Sequence, residues 1–131
     1  MHVESSQSGE AEAVILIKAS PNPGRSSETV CCAGIDLYGR WLRLYPVVFR
    51  RLDEQQRFGR WDRVHFKWRR PRNDPRVESR RVEEDSLQIV GELKANERAS
   101  FLAKSVVTSL VKEREQGRSL ALLQVEVKSF R

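Results

Sequence analysis

Residues 28–51, ETVCCAGIDLYGRWLRLYPVVFRR, decide how the chain folds. Val30, Cys32 and Gly34 alternate with Cys31, Ala33 and Ile35, the period of two that sends successive side chains to opposite faces of a strand. Leu37-Tyr38-Gly39-Arg40 then turns the chain back into a second alternating run. In that run Leu42 and Leu44 suit a core, while Trp41, Arg43 and Tyr45 make an outward row of rings and a guanidinium. Pro46 lacks a backbone donor and is predicted to end the pairing. Phe49, Arg50 and Arg51 carry the aromatic and cationic character past it. The predicted centre of the fold is a β-hairpin with one apolar face and one cationic, ring-bearing face.

A second stretch, WDRVHFKWRR at 61–70, repeats that division. As a strand it sends Val64, Phe66 and Trp68 inward and Arg63, His65, Lys67 and Arg69 outward, whereas a helix would scatter both sets. Pro71 and Asn73-Asp74-Pro75 close it. Working outward, AVILIKA at 13–19 is short and rich in β-branched residues, which favours a buried strand. The Pro-, Gly- and Ser-rich segment 20–27 is a loop leading into the hairpin. Residues 76–85, RVESRRVEED, read as an exposed connection, and Leu87-Gln88-Ile89-Val90 as a short strand stopping at Gly91. Asn96 is a credible N-cap for a helix over 97–115, whose stripe of Ala99, Leu102, Ala103, Val106, Val107, Leu110 and Val111 would lie as a lid on the sheet. A last strand is predicted over 120–130.

The order β-β-β-β-β-α-β implies an α+β fold: a small curled antiparallel sheet or partly open β-barrel, OB-like or PUA-like, with one long helix packed on it. At 131 residues the chain fits one domain, with residues 1–12 as a polar, disordered leader and 13–131 as the folded unit. The chain stops at Arg131 inside an apparent strand, so a module cut from a longer protein, with a further domain downstream, is expected.

Charge gives the first functional indication. The net charge is +6, but residues 40–81 hold 13 Arg and one Lys against Asp53, Glu54, Asp62, Asp74 and Glu78, a local +9 against −3 for the remainder. Cationic charge concentrated in one stretch fits a patch facing an anionic polymer; the plainer reading is a solvated sheet face with charges guarding its edges. No run of about 18 apolar residues exists, so no membrane span is expected. The N-terminus lacks the order of a secretory signal, and adjacent Cys31 and Cys32 are better read as reduced thiols than as a disulfide, so a cytoplasmic setting is expected. Two vicinal cysteines and an isolated His65 make a poor metal inventory, and neither a metal nor another cofactor is expected.

The expected function is nucleic-acid binding, with single-stranded DNA or RNA favoured, through a basic aromatic sheet surface. Its candidate residues on the hairpin are Arg40, Trp41, Arg43, Tyr45, Phe49, Arg50 and Arg51. Around the second stretch they are Arg60, Trp61, Arg63, Lys67, Arg69, Arg70 and Arg72. One alternative is a protein-interaction or regulatory domain gripping an acidic partner, because Trp, Tyr and Arg also anchor protein interfaces. A second is a nuclease or base-modifying domain; Asp62, Asp74, Glu78 and Glu83 have no spacing that binds them into a site, so no catalytic residue is assigned.

ETVCCAGI, GRWLRLYPVVFR, RFGRWDRVHF, RVESRRV and the late GRSLALLQVEV together resemble an uncharacterised bacterial protein family. Its pattern is an ETVC-AGI strand, a W-(I/L)-RLYP strand, a basic aromatic strand, an RPES-like segment and a G-x-SLG-like segment. Here the RPES-like segment reads Arg76-Val77-Glu78-Ser79, and Leu120-Ala121 lacks the glycine. The resemblance implies an N-terminal module and brings no activity with it.

Overall fold

The computed structural model describes residues 7–19, 29–48 and 57–106, together with Lys112, Glu115 and Leu122. Strands β1 (Ser8–Ala19), β2 (Thr29–Asp36) and β3 (Trp41–Val48) are followed by β4 (Asp62–Arg69), β5 (Ser79–Val82) and β6 (Gln88–Glu92). Helix α1 (Ala95–Ala103) comes last. The sheet runs β1-β2-β3-β5-β4-β6, and β4 also pairs with β1, so five strands close into a mixed barrel and β6 extends β4 beyond it. β5 enters between β3 and β4, parallel to one and antiparallel to the other. This is the small α+β barrel with a helix that the strand pattern implies, closed and mixed where a partly open or antiparallel sheet was expected.

Inward positions follow the alternation. Leu42 and Leu44 of β3 and Val64, Phe66 and Trp68 of β4 are buried with Ala13, Ile15, Val82 and Leu87, and Phe58 joins the same core from the segment before β4. The hairpin turn falls where predicted. Its carboxylate anchor, Asp36, is buried and accepts from the Tyr38 and Arg40 backbone N–H groups and from Arg40 Nε, each at 2.9 Å. Gly39 has φ +84°, a conformation that glycine adopts without a Cβ clash.

Four expectations need correction. β1 begins at Ser8, so residues 8–12, assigned to the leader, pair with β4 from Ser8↔Arg69 to Glu12↔His65. Their alternation of Glu with small residues is polar outward and small inward, which hid a strand whose inward neighbour is the large Trp68 ring. Pro46 does not end the pairing either: β3 runs on to Val48, and an irregularity in β2 between Val30 and Cys32 absorbs the missing donor.

The third correction concerns residues 79–82, a strand rather than an exposed connection, with Ser79 and Arg80 buried. An arginine at an inward position broke the apolar period. Its guanidinium lies 4.5 Å from the centroid of the Trp68 ring and donates to the Val77 and Ser79 carbonyls. Finally, the helix predicted over 97–115 starts at Ala95 and gives way to a turn after Ala103; Lys112 and Glu115 are helical again. None of α1's residues is buried, because the barrel closes through β1 and β4 and needs no lid. Contact instead runs through Arg98, 4.3 Å from the centroid of the Trp61 ring and bonded to the Leu93 carbonyl. Lys94 rather than Asn96 occupies the N-cap, its backbone N–H donating to the Glu97 carboxylate at 3.2 Å. The strand predicted over 120–130 lies outside the described residues except for a bridge from Val106 to Leu122.

Candidate functional site

Three neighbouring strands set the geometry. Tyr45 of β3 pairs with Arg81 of β5, and Arg81 pairs with Arg69 of β4, so the three residues form one lateral row across the barrel. Adjacent strands are about 4.8 Å apart, and side chains directly opposite share a face. Above the row the connection from β4 to β5 brings Arg70, Pro71, Arg72 and Asn73 over the sheet. Together these residues line a cleft of about 500 Å³ with four guanidinium groups, one phenol and, among the described residues, no carboxylate. Placing Arg69 opposite Arg81 destabilises the sheet on its own account. An anion seated between them would offset that repulsion by attracting both guanidinium groups.

A second cavity of about 480 Å³ adjoins the first and shares Tyr45 and Asn73 with it; its other lining residues are Cys32, Arg43, Leu44, Asp74 and Arg76. Here charge is compensated. Arg76 donates to both Asp74 oxygens at 2.8–3.3 Å, and Arg43 stands 3.8 Å from the buried carboxylate of Glu78. The Tyr45 hydroxyl donates to Asp74 at 3.0 Å, which fixes the ring where the cavities meet. Burial, and then the hydrogen bond to Asp74, pushes the Tyr45 phenol above its usual value.

The Arg76 guanidinium, reinforced by its backbone N–H and by the Tyr45 hydroxyl, holds the Asp74 carboxyl far below the usual aspartate value of 3.8, against the opposing effect of burial. A depressed folded-state pKa stabilises the fold above the unfolded value, and that contribution is lost as pH falls through the folded one. Asp74→Asn is therefore expected to lower stability by an amount that is constant from neutrality down to about pH 4 and shrinks below it. Urea denaturation of both proteins at several pH values measures this. A difference independent of pH down to the acid limit would show that the Asp74 charge does not matter.

The fourteen residues singled out from sequence divide. Tyr45, Arg69, Arg70 and Arg72 meet at the cationic cleft, and Arg43 lines its neighbour. Arg70 is also held by the Val77 carbonyl at 2.7 Å and lies 5.7 Å from the centroid of the Trp68 ring. Trp41 shares the outer face of β3 but is half-buried, its indole N–H sealed from solvent without a hydrogen-bond partner among the described residues. Arg40 is paired with buried Asp36 at 2.9 Å. Arg60, Trp61 and Arg63 lie at the opposite end of β4 from Arg69, about 20 Å along an eight-residue strand. There Arg60 caps the Leu16 carbonyl, and Trp61, at φ 74°, is clasped by backbone bonds to Ile15 and Leu93.

The outward row of β4 meets carboxylates from β1. Glu12 and Glu10 stand opposite His65 and Lys67, and Glu12 reaches Arg63 at 3.9 Å. Lys67 and Arg69 also border a depression lined by Glu83, Glu84 and Asp85. Phe49, Arg50 and Arg51 lie outside the described residues. Arg81 and Asn73 were missed; the signal for Arg81 was its place between the inward residues Arg80 and Val82. Among the described residues no three of His, Cys, Asp and Glu gather as a metal-binding group.

A family model described as a domain of unknown function (DUF8758) matches residues 9–106. The chain belongs to that family. The match runs from β1 through α1, so the DUF8758 domain takes in the whole barrel and both cavities. No curated protein and no solved structure matches the chain. No helix among the described residues of the DUF8758 domain is long and apolar enough to cross a membrane.

Proposed function

We propose that the barrel binds single-stranded nucleic acid across the outer face of β3, β5 and β4. The observation that carries this reading is the in-register row of Tyr45, Arg81 and Arg69 beside Arg70 and Arg72, lining a cleft to which no described residue contributes a carboxylate. Phosphates fit such a cleft because each contact releases condensed counterions, and a ring beside them offers a stacking surface for a base. A single strand fits better than a duplex, since α1 carries Glu97 beside Arg98 and spends Arg98 on Trp61 instead of presenting a basic face to a major groove. In this reading the barrel is a cytoplasmic, strand-gripping N-terminal module of a longer bacterial protein, and any chemistry belongs to a downstream domain.

Fluorescence polarisation with labelled single-stranded DNA, single-stranded RNA and duplex across a salt series tests it. Single strands are expected to bind in preference to duplex, with log K falling against log salt at a slope of about −2 to −3, the value for three or four phosphate contacts. Absence of binding at low salt sinks the reading. If polyglutamate displaces the strands at equal charge concentration, an acidic protein partner becomes the better account.

A further inference from the structure

The two cavities that meet at Tyr45 differ in charge, and the difference suggests what each takes. In the first, Arg69, Arg72 and Arg81 converge, and no described residue adds a carboxylate to the lining. In the second, Asp74 compensates Arg76, and Cys32 and Leu44 add apolar surface. A nucleotide has the same division: an anionic phosphate joined to a flat, neutral base with a polar edge. Asn73 borders both cavities, is exposed, and carries a carboxamide able to donate and to accept.

Building on the nucleic-acid reading above, we propose that the paired cavities hold one nucleotide unit of the strand, its phosphate among Arg69, Arg72 and Arg81 and its base against Tyr45, with Asn73 at the base edge. Asp74 positions the ring. Its hydrogen bond to the Tyr45 hydroxyl, 3.0 Å, holds the phenol in place before the strand arrives, which lowers the ordering cost of binding. The charge contrast also orients the unit: a phosphate in the second cavity would face the Asp74 carboxylate, and a base in the first would leave the guanidinium groups without an anion.

Two labelled probes of about 12 nucleotides, within the span of one such barrel, separate the contributions: oligothymidine and an abasic backbone of equal length and charge. The protein is expected to bind oligothymidine about tenfold or more tightly than the abasic strand. Tyr45→Ala should collapse that ratio toward one, whereas Tyr45→Phe, which keeps the ring, should preserve most of it; circular dichroism checks that both variants fold. Asn73→Ala should flatten the differences in affinity among oligothymidine, oligoadenosine and oligocytidine. Equal binding of both probes by the unaltered protein would overturn the nucleotide subsite while leaving charge-driven strand binding intact. A ratio undisturbed in Tyr45→Ala would move the base elsewhere, and unchanged differences in Asn73→Ala would remove Asn73 from the site. Failure of both probes to bind would overturn the parent reading as well.

Discussion

Arg81→Glu is expected to raise the melting temperature and, in the same molecule, to remove most of the affinity for single strands. Arg81 stands between Tyr45 and Arg69 in the lateral row, so glutamate there replaces a repulsive cross-strand pair with an attractive one. Such pairs contribute about 0.2–1 kcal/mol, enough to shift the transition by about 1–5 °C in a domain of this size. Binding should respond in the opposite direction. The substitution deletes one charge-assisted hydrogen bond to phosphate and puts a carboxylate among the guanidinium groups of the cleft, a change on the order of 100-fold in Kd at about 0.1 M salt. The salt slope should also become shallower by about 0.7, because one phosphate fewer is neutralised.

Thermal denaturation and polarisation titrations on one preparation give both numbers. Arg60→Glu, at the far end of β4, is the matched control and should leave affinity nearly unchanged. If Arg81→Glu lost stability along with binding, Arg81 would be a structural residue. If it kept its affinity, the strand would bind elsewhere.

The largest effect on stability is expected at Gly34. A Cβ added there would lie 2.3 Å from the Val14 carbonyl oxygen and 2.9 Å from its carbon, both backbone atoms that no rotamer change can move aside. Gly34 pairs with Ile15, next to the irregularity that separates Ile15 from Ile17 in β1, so relief requires β1 and β2 to part. Overpacking that displaces backbone costs more than overpacking a flexible side chain, and Gly34→Ala should lose about 3 kcal/mol or more. Gly59→Ala is the control: its Cβ would meet nothing within 4 Å, and its stability should stay within about 0.5 kcal/mol of the unaltered protein. Urea denaturation compares them. A stably folded Gly34→Ala protein would contradict the close approach of β1 and β2.

Most of the barrel was legible because its signals are local. The alternation at 41–45 and 62–69 sorts inward from outward residues without knowledge of any partner strand, and Leu42, Leu44, Val64, Phe66 and Trp68 are buried accordingly. Signals failed where a side chain's role depends on a distant neighbour. Gly9 reads as part of a polar leader, yet a Cβ built on it would lie 3.1 Å from the Trp68 ring. Arg80 reads as surface, yet it is buried with its guanidinium over that same ring. Glu10 and Glu12 read as a polar leader, yet they stand across from the cationic row of β4 and offset part of the local charge counted along the chain.

By itself the sequence determined which faces of β3 and β4 are apolar, where the hairpin turns and that arginine is concentrated between residues 40 and 81, because period, turn chemistry and composition are properties of neighbouring residues. Tertiary structure alone decided which of those arginines meet. Strand order brings Arg81 from β5 between Tyr45 and Arg69, 36 and 12 residues away, while the same pairing rules set Arg63 and Lys67 beside carboxylates of β1. Coulomb interactions depend on distance in space, and distance in space is set by strand pairing that no local pattern encodes.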